Sequence, residues 1–515
     1  MLNKKHTVFV LLLLPMLLAP AGEGFAQVWH HKRENSIRSS QSESASPVSL
    51  YYNPTASWNA ASISGTYENG DFHRVDKPAG KRELDLSAGE LGSFGTFRTE
   101  GSLRYRNTRD LGRNWNSLIG NDPDNPYIIC DTLSDHSTTE RFDMEGALTW
   151  HFHKQWVAAG KIGLTTATLT DTKDPRPKND ISRIPVLLGL EHHFAGSWSA
   201  GVYGGAELFF SKFTNYLEYG QKAYRYYKMK GMGDFFAFSS SESSSAPREY
   251  AGATFSGGLN LGYRNAAVEN FTEAGVETGY ENARDGGSAY EWKAGDYRFT
   301  RIHFLERLDL KGELRHSFGL NAALKLTEGY WYDQKQMIDT DHGNISYYEV
   351  MSRYQNNRGT RLTAGLDYAA GKEKSWNAAL HLSLLHESRT HYADGEPCTQ
   401  RWSQLGIRAD GWKTFPLGQN LLDISAGAGY VLPLGEALFA SGNTAPARDD
   451  ITDAYVTPIF AYETAGKLSA HLRADWVFAA AKQYAPGIFV KGTLLKQASG
   501  PASYYGISAG AFLKF

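Results

Sequence analysis

The chain has 515 residues, 13% of them aromatic, with 52 glycines and only two cysteines, a composition typical of a protein rich in strands and turns. Its 53 basic and 55 acidic side chains give a formal net charge of −2, which offers no support for nucleic-acid binding. The mean hydropathy of −0.43 does not exclude a membrane barrel, because a barrel wall places apolar side chains only at every second position.

The N-terminus has the features of a cleaved secretory signal peptide covering residues 1–26. Lys4 and Lys5 precede an apolar run at residues 8–18, which a proline interrupts and which is too short to cross a bilayer as a helix. The small residues of Gly24-Phe25-Ala26 stand where a signal peptidase requires them. The residue directly after the predicted cut is not a cysteine, which argues against a lipid anchor there. We therefore expect export across the inner membrane of a Gram-negative bacterium.

Residues 27–56 are predicted to be a polar N-terminal leader. They show no hydrophobic period, and the serine-rich stretch at 39–44 favours a disordered periplasmic segment over a plug of the lumen. A separate plug domain of the energised-transporter kind needs far more chain than this leader supplies. Active import is therefore disfavoured.

A family resemblance begins at the end of the leader. The stretch 51–58, YYNPTASW, resembles the Asn-Pro-Ala segment that opens the barrel of long-chain fatty acid transporters, with Thr55 in place of the usual alanine. Together with GDFHR at 70–74, the chain more closely resembles uncharacterised outer-membrane barrels of Bacteroidota-type bacteria. The resemblance implies a barrel fold and an outer-membrane location, and it implies no catalytic residue.

Apolar residues recur with a period of two throughout residues 57–515. Between 318 and 326 the even positions are phenylalanine, leucine or alanine, while Asn321 and Lys325 stand on the odd ones. Further segments with the same alternation are 142–150, 362–368, 422–430 and 468–476. A large soluble β-sandwich and a transmembrane barrel would both produce this pattern.

Strand length and loop asymmetry favour the membrane barrel. The predicted strands have roughly 10 to 15 residues, whereas a soluble strand averages about 5 to 6. Tight links are predicted near residues 153–154, 195–196, 316 and 371–375, and long polar loops near 110–140, 215–249 and 333–357. Short turns on one side and long loops on the other are typical of bacterial outer-membrane proteins. We predict an all-β, transmembrane antiparallel β-barrel of about 16 strands (14–18), with short periplasmic turns and long extracellular loops; residues 479–487 leave the count open.

Aromatic residues on the apolar positions near strand ends predict interfacial girdles facing lipid. They are Trp150, Trp156, Trp198, Tyr330, Tyr332 and Tyr368.

The C-terminus, GISAGAFLKF, admits two interpretations. Gly506 to Gly510 matches the G-x-S-x-G pattern of a hydrolase nucleophile elbow, but Ser508 has only seven residues after it, and they alternate as a strand. The alternation instead resembles the C-terminal assembly signal of outer-membrane proteins, which the barrel-assembly machinery recognises. The predicted signal residues are Ile507, Ala509, Ala511, Leu513 and Phe515.

No catalytic residue, metal site or cofactor is predicted. The stretch 386–391, HESRTH, has three residues between its glutamate and second histidine where a zincin has two. Histidine pairs at 30–31 and 192–193 lack a third ligand at recognisable spacing. Cys130 and Cys398 are both predicted in external loops, where a disulfide is possible, although two unpaired thiols are the preferred interpretation.

These observations favour a passive channel or transporter of unknown substrate. The alternative is a binding or scaffold barrel with loops closing the lumen, for example through the serine-rich segment 239–245. An outer-membrane hydrolase is disfavoured, so we expect no enzyme. The expected partners are outer-membrane lipid and the barrel-assembly machinery.

Overall fold

The computed structural model describes residues 44–52, 57–133, 136–171, 173, 176–194, 196–215, 224–240, 247–286, 291–341, 343–372, 375–392, 397–440, 451–478 and 484–514. The predicted signal peptide 1–26, leader residues 27–43 and 53–56, and Phe515 lie outside the described residues.

Eighteen antiparallel strands form one closed barrel, which confirms the predicted fold class. The strands of the wall are β1 (Trp58–Gly70), β2 (Gly80–Phe94), β3 (Phe97–Leu111), β5 (Ser137–His153), β6 (Trp156–Asp171), β7 (Pro177–His193), β8 (Trp198–Asn215), β11 (Arg248–Arg264), β12 (Val268–Asp285), β13 (Trp292–Leu310), β14 (Arg315–Asp339), β15 (Ile345–Lys372), β16 (Trp376–His391), β17 (Cys398–Leu417), β18 (Asn420–Pro433), β20 (Lys467–Val477), β21 (Ala485–Gln497) and β22 (Ser503–Lys514). Among the residues whose positions are described, the connections contain the short strands β4 (Ile129–Cys130), β9 (Tyr224–Gly231), β10 (Asp234–Ser240) and β19 (Leu438–Ala440).

The barrel closes where the first strand pairs with the last. In β1 and β22, Ala60 pairs with Lys514 and the register continues to Gly70 and Tyr504. The sequence left residues 479–487 open, and the structure ends β20 at Val477 and starts β21 at 485, so this region separates two strands. The even strand number lies within the predicted range.

The predicted alternation of apolar and polar residues matches the alternation of outward and inward side chains along the wall strands. Phe318, Leu320 and Leu326 are exposed on the outer surface, whereas Lys325 is largely buried among lumenal charges. At the C-terminus, Ile507 is likewise exposed outward, and the side chains at the alternate positions of β22 face inward. The outer surface is therefore apolar enough to face lipid, which defines a membrane barrel and excludes the soluble sandwich.

Connections at the two ends of the barrel differ in length, as predicted. At one end β2–β3, β5–β6 and β17–β18 are joined by two residues each, at 95–96, 154–155 and 418–419. At the other end the connections at 112–136, 216–247 and 434–466 are long. Since outer-membrane barrels carry their short turns on the periplasmic side, we assign the long connections to the outside.

Two details of the predicted pattern are wrong in the β14–β15 hairpin. Residues 333–357 are not a loop, because both strands continue past their neighbours and turn only at 340–344. Tyr332 does not face lipid; it is buried and its hydroxyl donates to Asp296. Irregularities at Gly329/Tyr330 and at Asp333 shift the register, and such a shift changes which face each side chain occupies.

In the described residues, the helix α1 (Thr457–Thr464) follows a helical turn at Thr452–Val456 in the connection between β18 and β20. No helix in the described part of the chain is long and apolar enough to cross a membrane.

Leu472→Lys tests the outward face of the wall. Leu472 is exposed at the middle of β20, where a lysine facing the bilayer midplane costs about 2–4 kcal/mol. We expect a clear loss of the folded, heat-modifiable form on refolding into vesicles. His471→Lys is the matched control, since His471 points to lumenal Asp410. Equal refolding of both variants would contradict the assigned faces.

Candidate functional site

The extracellular half of the lumen contains parts of three connections. We call residues 112–133, between β3 and β5, the lumenal segment; the other two parts are the β9–β10 hairpin and residues 451–464 with α1. One buried apolar cluster joins all three. Its buried members are Trp115, Cys130, Met229 and Ile451. The lumen is therefore obstructed at this end, where the sequence had predicted polar external loops.

The lumenal segment crosses the barrel. On one side, Gly120 accepts hydrogen bonds from Arg183 of β7 through its carbonyl. On the other, Asp124 contacts Arg389 of β16. The order of strands in the ring from this side is β7, β8 and then β11 to β16. The strands β7 and β16 are therefore seven steps apart in a ring of 18, close to opposite sides.

An apolar anchor holds the segment at Tyr127, which is fully buried. Its ring lies directly over Gly295 of β13, where any side chain would overlap it and where a φ of +135° favours glycine. Its hydroxyl donates to Asn356 of β15 at 2.5 Å, and its carbonyl accepts from the hydroxyl of Tyr250 of β11 at 2.7 Å. The anchor thus fixes the segment to three wall strands.

A buried ion pair supports this anchor. Arg248, 1% exposed, donates to both carboxylate oxygens of Asp285 at 2.6 and 2.8 Å and lies 3.3 Å from the Tyr127 carbonyl. Lys228 of β9 lies 2.9 Å from the same carboxylate. Asp285 therefore joins the wall, the hairpin and, through Arg248, the lumenal segment.

An ionic contact, which we call the latch, holds the tip of the segment. Lys325 of β14 donates to both oxygens of Asp122 at 2.8 and 2.9 Å, and to Asp124 at 2.8 Å. Arg361 of β15 binds both oxygens of Asp124 at 2.9 and 3.2 Å, and Arg389 approaches it at 3.3 Å. Three cations from neighbouring strands thus converge on two carboxylates of the segment.

The charges of the latch balance. Glu387 of β16 accepts from Arg361 at 2.5 Å and from Arg389 at 2.7 Å, so the wall alone carries three cations and one anion. Asp122 and Asp124 supply the missing two negative charges. Burial would raise the pKa of Asp124, but the charges of Arg389, Lys325 and Arg361 lower it below its usual value, so the carboxylate stays ionised.

The periplasmic half of the lumen holds a cavity of about 1480 Å³. It reaches the rim with the short turns, where Asn377 and Lys514 line it. Its wall carries paired charges of both signs, for example Arg106 and Asp143 at 2.8 Å. Such a surface favours water and polar solutes.

The described end of the predicted leader, residues 44–52, lies against the inner wall at this rim. The amide of Ala45 donates to Glu273 of β12 at 3.1 Å. Val48, in a turn of 3₁₀ helix, is buried against Val157 of β6. This part of the leader occupies one side of the lumen, which the sequence had not predicted.

The residues singled out in the sequence have ordinary structural positions. Ser508 lies within β22, and its hydroxyl is 2.9 Å from that of Thr66, as the strand interpretation predicts. His386 and His391 stand five residues apart on strand β16 and therefore on opposite faces. Among the residues with described positions, no group of three or more potential ligands has the geometry of a metal site.

The two cysteines are not joined to each other, in agreement with the preferred interpretation. Their predicted place in external loops is wrong, because Cys130 is fully buried in β4 and Cys398 is the first residue of wall strand β17. Burial raises the pKa of the Cys130 thiol well above its ordinary value, so this group is a poor nucleophile.

The closed wall, apolar outer face and polar lumen define an outer-membrane β-barrel. The chain belongs to a family of unknown function, DUF6850, whose model matches residues 47–513. No curated protein matches it.

Several solved structures are similar at low identity. They include the copper transporter OprC (8% identity, 89% of this chain and 80% of that chain, TM-score 0.37), the siderophore receptor PirA from Pseudomonas aeruginosa (10%, 89% and 81%, 0.35) and the ferric preacinetobactin receptor BauA from Acinetobacter baumannii (8%, 88% and 80%, 0.34). At these values the similarity has no bearing on what this chain binds. The finer resemblance to Bacteroidota-type barrels and fatty acid transporters is supported by none of them.

Proposed function

We propose that this protein is a gated outer-membrane transporter whose lumen is obstructed at rest and admits a polar solute when the lumenal segment moves. One observation carries the proposal: the cavity of about 1480 Å³ runs from the periplasmic rim into the barrel, and the lumenal segment interrupts the path above it. A polar path that the lumenal segment interrupts needs a movement of that segment to become continuous.

The chemistry of the wall supports a polar cargo. The lumenal side chains bordering the cavity include arginines and carboxylates on neighbouring strands, such as Arg106 beside Asp143. A charged solute loses little solvation energy among such groups. Export by the signal peptide 1–26 and insertion through the C-terminal residues remain part of the proposal, as does the absence of enzymatic activity.

A binding or scaffold barrel is the second candidate, and the anchor at Tyr127 favours it. A fully buried tyrosine seated over Gly295 holds the segment firmly to the wall. If the whole segment is fixed, the lumen never opens. The two candidates therefore differ in whether the latch can release while the anchor holds.

A reversible cross-link separates them. In a background with Cys130 and Cys398 replaced by alanine, Asp124→Cys and Lys325→Cys would be joined by a short bis-methanethiosulfonate, because the native side chains are 2.8 Å apart. A transporter should be silent in planar bilayers while cross-linked and show current steps after reduction. A barrel that is silent in both states would overturn the proposal in favour of binding or scaffolding.

The matched control joins two wall strands without touching the lumenal segment. Ser62 and Ser87, on β1 and β2, have hydroxyls 2.7 Å apart. Cross-linking cysteines at these positions should leave the current steps unchanged. A loss of current with this pair would mean that the reagent itself blocks the lumen.

A further inference from the structure

The latch has the composition of a binding site whose ligand is part of the same chain. Lys325, Arg361 and Arg389 lie on the adjacent strands β14, β15 and β16 and face the lumen together. Arg361 binds Asp124 through two parallel N–H groups, the geometry in which guanidinium recognises a carboxylate. Asp122 and Asp124 are separated by one proline, so they present two carboxylates side by side.

The wall holds an excess of positive charge at this place. Glu387 neutralises one of the three cations, and the two carboxylates of the tip neutralise the others. When the tip moves away, Lys325 loses both carboxylates, and Arg361 and Arg389 share Glu387 alone, so two positive charges are left uncompensated in a partly desolvated site. An uncompensated buried charge is costly, so an anion of matching charge is favoured in the place that the tip leaves.

The surroundings provide both room and a way for the tip to move. A cavity of about 140 Å³ adjoins the latch and is lined by Asp124, Arg361 and Arg389, among others. The tip is tied down at its two sides, by the amide of Ile119 donating to Asn179 at 2.8 Å and by the anchor at Tyr127. Between these points Glu281 of β12 accepts hydrogen bonds from the amide of Asp122 at 2.9 Å and from Asn125 at 2.8 Å. Moving the two carboxylates out of the site while both outer points remain therefore breaks the latch together with the hydrogen bond from Asp122 to Glu281.

We propose that Lys325, Arg361 and Arg389 form a binding site for a small dicarboxylate solute, and that Asp122 and Asp124 occupy this site in the obstructed state. This inference rests on the proposed function and adds to it the class of solute. The solute displaces the tip, and the tip returns when the solute leaves.

Calorimetric titration of the purified protein with succinate tests the site, in a chloride-free buffer. Asp122→Asn/Asp124→Asn removes the internal competitor, so it should bind succinate at least tenfold more tightly than the wild type. Adding Arg361→Gln should abolish the gain, because the bidentate partner is lost. The neutral succinamide should bind to neither protein, and inorganic phosphate is the second anion tested.

Equal succinate affinity of the wild type and the double variant would overturn the proposal, as would binding that survives Arg361→Gln. Tighter binding of inorganic phosphate than of succinate would overturn the dicarboxylate assignment and indicate a phosphate site.

Displacement of the tip is measured separately, with the latch intact. Pro123→Cys, with the native cysteines replaced, places one thiol between the two carboxylates. Succinate should increase its rate of labelling by an aqueous maleimide, and it should not do so when Arg361→Gln is added. An unchanged rate at saturating succinate would contradict the displacement.

Both measurements use detergent-solubilised protein and require no translocation. Failure of succinate binding alongside reduction-dependent currents would refute only the solute class. Binding without currents would instead leave a dicarboxylate-binding barrel and refute transport.

Discussion

Replacing residues 112–136 by a two-residue turn should convert the barrel into a continuously conducting channel. The lumenal segment is the part of the chain that reaches from β7 to β16 across the lumen. Its removal need not strain the wall, because Arg109 of β3 already pairs with Thr138 of β5, so a tight hairpin can join them. In planar bilayers we expect steady current where the intact protein shows intermittent steps.

The matched control shortens a connection that leaves the lumen. The β14–β15 hairpin extends beyond its neighbours, and removing residues 339–345 should leave the currents as they are. Heat-dependent gel mobility shows whether each variant has formed its barrel. A folded deletion variant without conductance would mean that the β9–β10 hairpin and α1 obstruct the lumen by themselves.

The wall could be predicted from the sequence because lipid and water impose a strict period of two. Leu324 and Lys325 are neighbours in the chain, and their different character suffices to place one outside and the other in the lumen. The prediction fails where the period slips, as at Tyr332, because a bulge is a backbone feature that side-chain character does not reveal.

The obstruction of the lumen could not be predicted by the same reasoning. The sequence predicts a long polar external loop near residues 110–140, between β3 and β5. One signal was available: Tyr127, Ile128 and Ile129 are consecutive apolar residues, and such a run is unfavourable in a solvated loop. All three pack into the buried cluster next to the wall.

The latch was beyond sequence reasoning for a different reason. Lys325, Arg361 and Arg389 are far apart in the chain, and their proximity follows from the register of β14 with β15 and of β15 with β16. Their inward direction was predictable, but the partner carboxylates come from a connection whose path no periodicity describes. Charge on a lumenal face therefore indicated a polar path without indicating its obstruction.

Asp285→Ala should release the lumenal segment from the wall while the barrel stays folded. The change leaves Arg248, which is 1% exposed, and the mostly buried Lys228 without their shared carboxylate. Removing one partner of a buried ion pair costs about 3–5 kcal/mol. Because Arg248 also supports the carbonyl of Tyr127, we expect this cost to appear as local opening of the anchor rather than unfolding of the wall.

Chymotrypsin cleavage after Tyr127 measures the opening, since this residue is fully buried in the intact protein. A cost of about 3 kcal/mol raises the open population about a hundredfold, and the cleavage rate should rise with it. Glu249→Ala is the control, because its pair with Lys212 is more than half exposed and contributes little. Adding Arg248→Met to Asp285→Ala should restore part of the protection of Tyr127 from chymotrypsin, because it removes one of the two buried charges left without a partner. Unchanged cleavage in Asp285→Ala would show that the glycine-lined seat of Tyr127 holds the segment without the ion pair.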